Sequence, residues 1–161
     1  MKKQILVEYE KFTHWTELND ARQSAIRQAQ TAMNKAYAPY SKFSVGACVV
    51  LDNGAVICGN NQENIAYPSG MCAERVALFY ANATHPTSNV NTLVIVAQGN
   101  LVKPDMCISP CGSCRQVIAE SESRQKEPIT IILVAQNGET WIFHSINDLL
   151  IFPFGVSDKN E

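Results

Sequence analysis

The sequence predicts a three-layer α/β/α sandwich around a mixed five-stranded sheet. Strand-like and helical segments alternate through the middle of the chain, the pattern of βαβ units with helices on both faces of a sheet. Leu93-Val94-Ile95-Val96-Ala97 is a continuous apolar run, as expected of a strand covered on both sides, and Ile129 to Ala135 reads as another buried strand. Asp52-Asn53-Gly54 and Asn137-Gly138 carry the turn chemistry that ties neighbouring strands into antiparallel hairpins.

Taken in order, residues 4–10 have some strand character, that of an edge strand. Leu18, Ala21, Ala25, Ala29, Ala32 and Ala36 then recur at helical spacing, with Glu17 and Asp20 favourably placed in the first turn. Pro39 stops that helix, because the residue before a proline is pushed out of the helical region. Phe43, Val45, Ala47, Val49 and Leu51 alternate strictly and predict a strand, and Ala55 to Gly59 returns beside it. Met71 to Asn82 reads as a helix. A second short helix begins near Pro110 and fades around Ser123; Ser109 is a candidate cap and Pro110 suits the first helical position. Thr140 to Phe143 pairs back on the strand before it.

No repeat, low-complexity tract or linker divides the sequence. Residues 18–158 are read as one domain, and residues 1–17 as an N-terminal extension. A chain of 161 residues is long enough to bury a sizeable core without disulfide staples. Lys plus Arg number 13 against 15 Asp plus Glu, which gives no basic surface for a nucleic acid. No stretch reaches membrane-spanning length, and the apolar run Ile5-Leu6-Val7 is too short for a signal peptide. A cytoplasmic setting is expected, with its cysteines reduced and serving as metal ligands, reactive thiols or core fillers.

The chemistry concentrates in Cys72-Ala73-Glu74 and Pro110-Cys111-Gly112-Ser113-Cys114. Cys111 and Cys114, three apart at a helix start, lie on one face, and Cys72 starts the other helix. Helix N-termini favour thiolates. Three sulfur ligands suit an open Zn²⁺ site whose fourth position is left for water, with Glu74 beside it to move protons. Three thiolates leave such a cluster at net −1, and Arg75 is the candidate that offsets this by donating to a ligand sulfur. Two rivals stand beside this reading. Cys111 and Cys114 alone fit a redox dithiol, and Cys107 offers a fourth ligand for a closed structural zinc. Cys48 and Cys58, in predicted strands, are read as core. His14, His85 and His144 show no ligand spacing.

These residues resemble the cytidine deaminase family, in its small form with three cysteine ligands. The likeness runs from Tyr37-Ala38-Pro39-Tyr40-Ser41-Lys42-Phe43 through Asn61-Gln62-Glu63-Asn64 and Cys72-Ala73-Glu74-Arg75 to Pro110-Cys111-Gly112-Ser113-Cys114-Arg115-Gln116-Val117, and resumes at Leu149-Leu150 and Phe154-Gly155. The resemblance implies Cys72, Cys111 and Cys114 as zinc ligands and Glu74 as the proton shuttle, the general chemistry of zinc nucleobase deaminases. It implies hydrolytic deamination of cytidine and deoxycytidine to the uridines with release of ammonia, a step of pyrimidine salvage. It also implies that Asn61 and Glu63 grip the ribose and that Phe43 packs against the base. Tyr67 and Phe154 match residues that a neighbouring subunit contributes, so the likeness implies a homotetramer with shared sites. Main-chain groups near Ala73 and Ser109 are placed to hold the base edge. Ile65 departs from the family's small alanine and would reshape the entrance near the sugar. Ile151-Phe152-Pro153 departs from the usual proline after the two leucines. A blasticidin-S-type deaminase shares the zinc motif, and a catalytically dead zinc-stabilised binding module is the reading from a different class. An editing deaminase is disfavoured by the cysteine at position 72, where those enzymes use histidine.

Overall fold

The computed structural model describes residues 1–155. The expected domain end at residue 158 therefore lies outside the described residues. The elements are β1 (Glu10–Phe12), α1 (Asp20–Met33), β2 (Ser44–Leu51), β3 (Val56–Asn60), α2 (Ala73–Thr84), β4 (Val90–Gln98), α3 (Gly112–Gln125), β5 (Thr130–Val134) and β6 (Thr140–Phe143). They form one mixed sheet in the order β1-β6-β5-β4-β2-β3. β4 and β5 are parallel, joined through α3, and every other pair is antiparallel.

The alternation of side chains along the strands divides the core in two. Cys48, Val94, Val96, Ile132 and Ile142 face α1, whose Ala25, Ile26, Ala29 and Met33 pack on them. Ala47, Val49, Leu93, Ile95, Ile131 and Leu133 face the opposite way, against Ala77 and Leu78 of α2 and Ile118 of α3. The three layers are those expected. Gly59 lets α2 approach closely: a Cβ there would lie 2.7 Å from the Ala77 amide nitrogen and 2.9 Å from the Ala73 carbonyl. Both hairpins close as their sequences require, with Gly54 and Gly138 at positive φ of 83° and 93°.

The sheet has six strands rather than five. β1 covers the β6 edge, pairing Glu10, Lys11 and Phe12 with Ile142, Trp141 and Thr140. It lies beyond most of the 4–10 stretch and is too short to show an alternation. The first helix ends at Met33, short of Pro39. The Lys35 and Ala36 amides tighten onto the Ala32 and Met33 carbonyls three residues back, and the next, Tyr37 N–H, leaves the helix for the Asn61 carbonyl, all at 3.0 Å. The second helix starts at Ala73 rather than Met71, since Met71 pairs in extended form with Gln62. Ser109 does not cap the third helix; Cys111 holds that position, and the Ser109 hydroxyl instead accepts from Arg115 Nη2 at 2.8 Å.

Cys48 and Cys58 are core residues, but they are not reduced thiols. They stand directly opposite each other in the β2–β3 register and form a disulfide. Among the described residues, no helix is long and apolar enough to cross a membrane.

Candidate active site

The three helix-start cysteines converge where the N-termini of α2 and α3 meet. Cys72 is the N-cap of α2 and Cys111 the N-cap of α3, and neither sulfur is spent on capping its own helix. Cys114 lies one turn further on and is fully buried. The three sulfurs all lie within 4.8 Å of one another, with Cys72 to Cys111 at 3.9 Å and Cys111 to Cys114 at 3.5 Å. Tetrahedral zinc–sulfur bonds of about 2.3 Å require sulfur pairs about 3.8 Å apart, and the pairs that Cys111 makes with Cys72 and Cys114 lie close to that spacing. The soft sulfur set suits it as well.

Cys107 does not belong to the triad. It is half-buried against the α2/α3 side of the core, and burial pushes its thiol up to about 11. A closed four-cysteine structural site is therefore not what the fold assembles. The Cys114 thiol, against burial and with help from Arg75 and Cys111, draws Cys72 down to about 5. The shared proton and burial hold Cys114 up. Arg75 Nη2 donates to Cys72 Sγ at 3.6 Å, while its Nε is buried with no partner. One guanidinium thus faces the sulfur cluster whose net charge, with a dication bound, is −1.

Glu74 follows Ala73 in the first turn of α2 and is only 5% exposed. Burial pushes its carboxyl up, and the charge of Cys72 adds to this, opposed by its own backbone N–H and the Cys114 thiol. A carboxyl beside the sulfurs and held above its ordinary range is suited to taking and returning a proton.

A cavity of about 560 Å³ runs from Cys72 and Arg75 to Glu63, bordered by Tyr40, Ser41, Asn61 and Tyr67. That is an ordinary size for a small-molecule site. Asn61 and Glu63 turn their side chains on the 40–45 segment: Val45 N–H donates to Asn61 Oδ1 at 2.8 Å and Asn61 Nδ2 to the Phe43 carbonyl at 2.9 Å. Glu63 accepts from the Tyr40 and Ser41 amides and the Ser41 hydroxyl. Tyr67 is 78% exposed at the rim, its ring edge-on to Tyr40.

The other expected contacts do not border the cavity. Phe43 is half-buried over Gly99, where an added Cβ would meet its ring at 2.8 Å. Ala73 is fully buried, and Ile65 points to solvent. Phe154 is 85% exposed, its backbone held by a two-way amide pairing with Gln116: Nε2 to the Phe154 carbonyl at 2.6 Å, and Phe154 N–H to Oε1 at 3.2 Å.

Sequence reasoning assigned no role to Arg115, whose guanidinium ties the Pro110 and Leu149 carbonyls and the Ser109 hydroxyl together beneath the α3 N-terminus. Its place directly after Cys114 was the available signal. The role of Ser41, inside the Tyr40-to-Phe43 run, was also missed.

Known proteins agree with this geometry. The sequence profile of the cytidine and deoxycytidylate deaminase zinc-binding region matches residues 19–129. A cytidine deaminase from Halalkalibacterium halodurans is 41% identical over 99 residues, 62% of this chain and 70% of that protein. One from Mycoplasma genitalium is 35% identical over 134 residues, 82% of this chain and 94% of the relative. In three dimensions the chain is similar to the crystal structure of cytidine deaminase from Burkholderia pseudomallei, with a TM-score of 0.71, 36% identity, and coverage of 82% and 98% of the two chains. With two thirds of its length under one profile and a near full-length structural counterpart, the chain belongs to the cytidine and deoxycytidylate deaminase zinc-binding family.

Proposed function

We propose that this protein is a zinc-dependent hydrolase that deaminates cytidine and deoxycytidine to uridine and deoxyuridine and releases ammonia. The observation that carries the reading is the buried Glu74 carboxyl beside a three-sulfur triad, one member of which, Cys72, borders a nucleoside-sized cavity. Cys72, Cys111 and Cys114 would hold zinc, which would act as a Lewis acid and lower the pKa of water from 15.7 toward about 7. The reaction adds water across the C4=N3 bond, oxygen to C4, and then breaks the bond from C4 to the amine, so protons must leave the attacking oxygen and reach N3 and the departing nitrogen. Glu74 carries both transfers, because burial raises its affinity for a proton above that of an ordinary carboxylate. Arg75 keeps the Cys72 sulfur from over-donating charge.

Glu63 and Asn61, at the far end of the same cavity, recognise the sugar. A carboxylate accepts from sugar hydroxyls and repels a phosphate, which favours a nucleoside over a nucleotide. The exposed Tyr67 and Phe154 fit a homotetramer in which each copy completes its neighbour's site. Residues 18–158 would form the catalytic domain, in a cytoplasmic enzyme whose ligand thiols stay reduced.

Ammonia release from cytidine, before and after the metal is stripped and after zinc is restored, tests the proposal. Turnover that disappears and returns with zinc supports it. Stoichiometric zinc with no ammonia from any cytosine nucleoside rejects it.

A further inference from the structure

We propose that Ser41 is a positioning residue for the nucleoside's sugar: its hydroxyl aims Glu63 so that one carboxylate lone pair stays open for one sugar hydroxyl. The inference rests on the deaminase reading and deepens it.

The direction of the hydrogen bonds is fixed by chemistry. Phe43 N–H lies 3.0 Å from Ser41 Oγ and can only donate. The hydroxyl's one proton goes to Glu63 Oε1, a nearer and charged acceptor, rather than to the Phe43 carbonyl 3.5 Å away. Glu63 Oε2 accepts the Tyr40 amide at 2.9 Å and the Ser41 amide at 3.2 Å. An ionised carboxylate has about four acceptor positions. Three are filled by two adjacent residues, and the one left lies on Oε1, in the wall of the cavity that leads to Cys72.

Asn61, two residues earlier, grips the same segment on either side of Ser44, through the Phe43 carbonyl and the Val45 amide. Within 40–45 every other group in this network is backbone; Ser41 alone contributes a side chain. Burial pulls Glu63 up, yet the Ser41 hydroxyl, the two amides and Lys42 together hold it below the usual carboxylate range. Removing the hydroxyl leaves Oε1 without a donor and Phe43 N–H without its acceptor. Glu63 is then held on one oxygen only, about a terminal torsion with broad preferences.

Steady-state kinetics of Ser41→Ala, Ser41→Val and Ser41→Thr on cytidine test this, alongside the inhibition constant of 2′,3′-dideoxycytidine, which has no sugar hydroxyl on C2′ or C3′. Ala and Val should raise the cytidine KM about tenfold, the scale of a lost charge-assisted hydrogen bond, with a smaller change in kcat. Thr, shaped like Val but carrying the hydroxyl, should restore most of the loss. Binding of the dideoxy analogue should respond to none of them. Equal losses for cytidine and the analogue, an unchanged cytidine KM, or a Thr variant no better than Val would each overturn the role. If the parent protein itself releases no ammonia from cytidine, the deaminase reading falls with it. A parent that turns over normally isolates any failure to Ser41.

Discussion

The two ends of the cavity are built in different ways. At the metal end, three sulfurs and a carboxyl come from the first turns of α2 and α3, and those turns are locked by packing. Ala73, Glu74, Ala77 and Cys114 are buried, and α2 lies so close to β3 that only glycine fits at position 59. At the sugar end, Tyr40 and Ser41 stand in a turn, Asn61 and Glu63 on an irregular segment and Tyr67 at the start of a single 3₁₀ turn, and the first four are joined by side chain–backbone hydrogen bonds. Packing against a sheet fixes side chains to fractions of an ångström, which bond-making steps require. Hydrogen-bonded loops tolerate small rearrangements, which recognition and subunit contact require. Chemistry therefore sits on the scaffold and recognition on the rim.

If that contrast holds, damage at the metal end should appear in kcat and damage at the sugar end in KM. The largest effect is expected at Glu74. Glu74→Gln keeps the shape of the side chain but cannot shuttle protons, so kcat should fall by about 10²–10⁴ or more while zinc content is unchanged. Turnover near that of the parent would break the contrast at its strongest point.

Arg75 comes next. Its bond to Cys72 is the outer support of the triad, and such partners commonly matter by about 10–100-fold in metal affinity or activity. Arg75→Gln should lose zinc to a competing chelator within that range, while the cytidine KM of the zinc-loaded variant stays close to the parent's. A change in KM without a change in zinc retention would move Arg75 from the metal end to the sugar end.

The sequence showed the metal end far better than the sugar end, for a physical reason. Cysteines at helix starts are local signals, and the strict alternation of Phe43 to Leu51 and the apolar run 93–97 reveal their strands by period alone. The features it hid depend on partners distant in the chain. The chain leaving α1 is tied down by Tyr37 bonding to Asn61, and the start of α2 is set by Met71 pairing with Gln62. Which way Asn61 and Glu63 face is decided by amides about twenty residues away. The Cys48–Cys58 bond is an intermediate case. The Asp52-Asn53-Gly54 turn fixes the β2–β3 register, and that register sets the two cysteines opposite each other. The hairpin was read correctly, but its consequence for the thiols was masked by the expectation that they stay reduced.

A smaller effect tests whether Glu63 is tied to its loop as an anion. Its folded pKa lies below the ordinary value, so its contacts add stability above the unfolded pKa of about 4.3. That stability is lost as pH falls through the lower folded value, where the carboxyl is neutral in both states. Glu63→Gln should therefore lower Tm by roughly 2–4 °C at pH 7 and converge with the parent in strong acid. A constant difference across the whole range would mean that the ionised form is not what the loop recognises.

The smallest effect lies farthest from both ends. Lys11 on β1 sits 5.0 Å above the Trp141 ring and 2.9 Å from Glu139, half exposed on the covered edge of the sheet. Exposed pairs of this kind contribute little, because water and salt screen them. Lys11→Ala should lower Tm by no more than about 2 °C and leave both kcat and KM of cytidine turnover where they were. Deleting residues 1–12 is a harsher version of the same test, because it bares the β6 edge to pairing with other chains. The truncated protein should associate or aggregate more readily on heating, yet bind zinc as the parent does. Loss of zinc on truncation would show that the edge strand reaches the metal end through the sheet, and the separation between scaffold and rim would have to be redrawn.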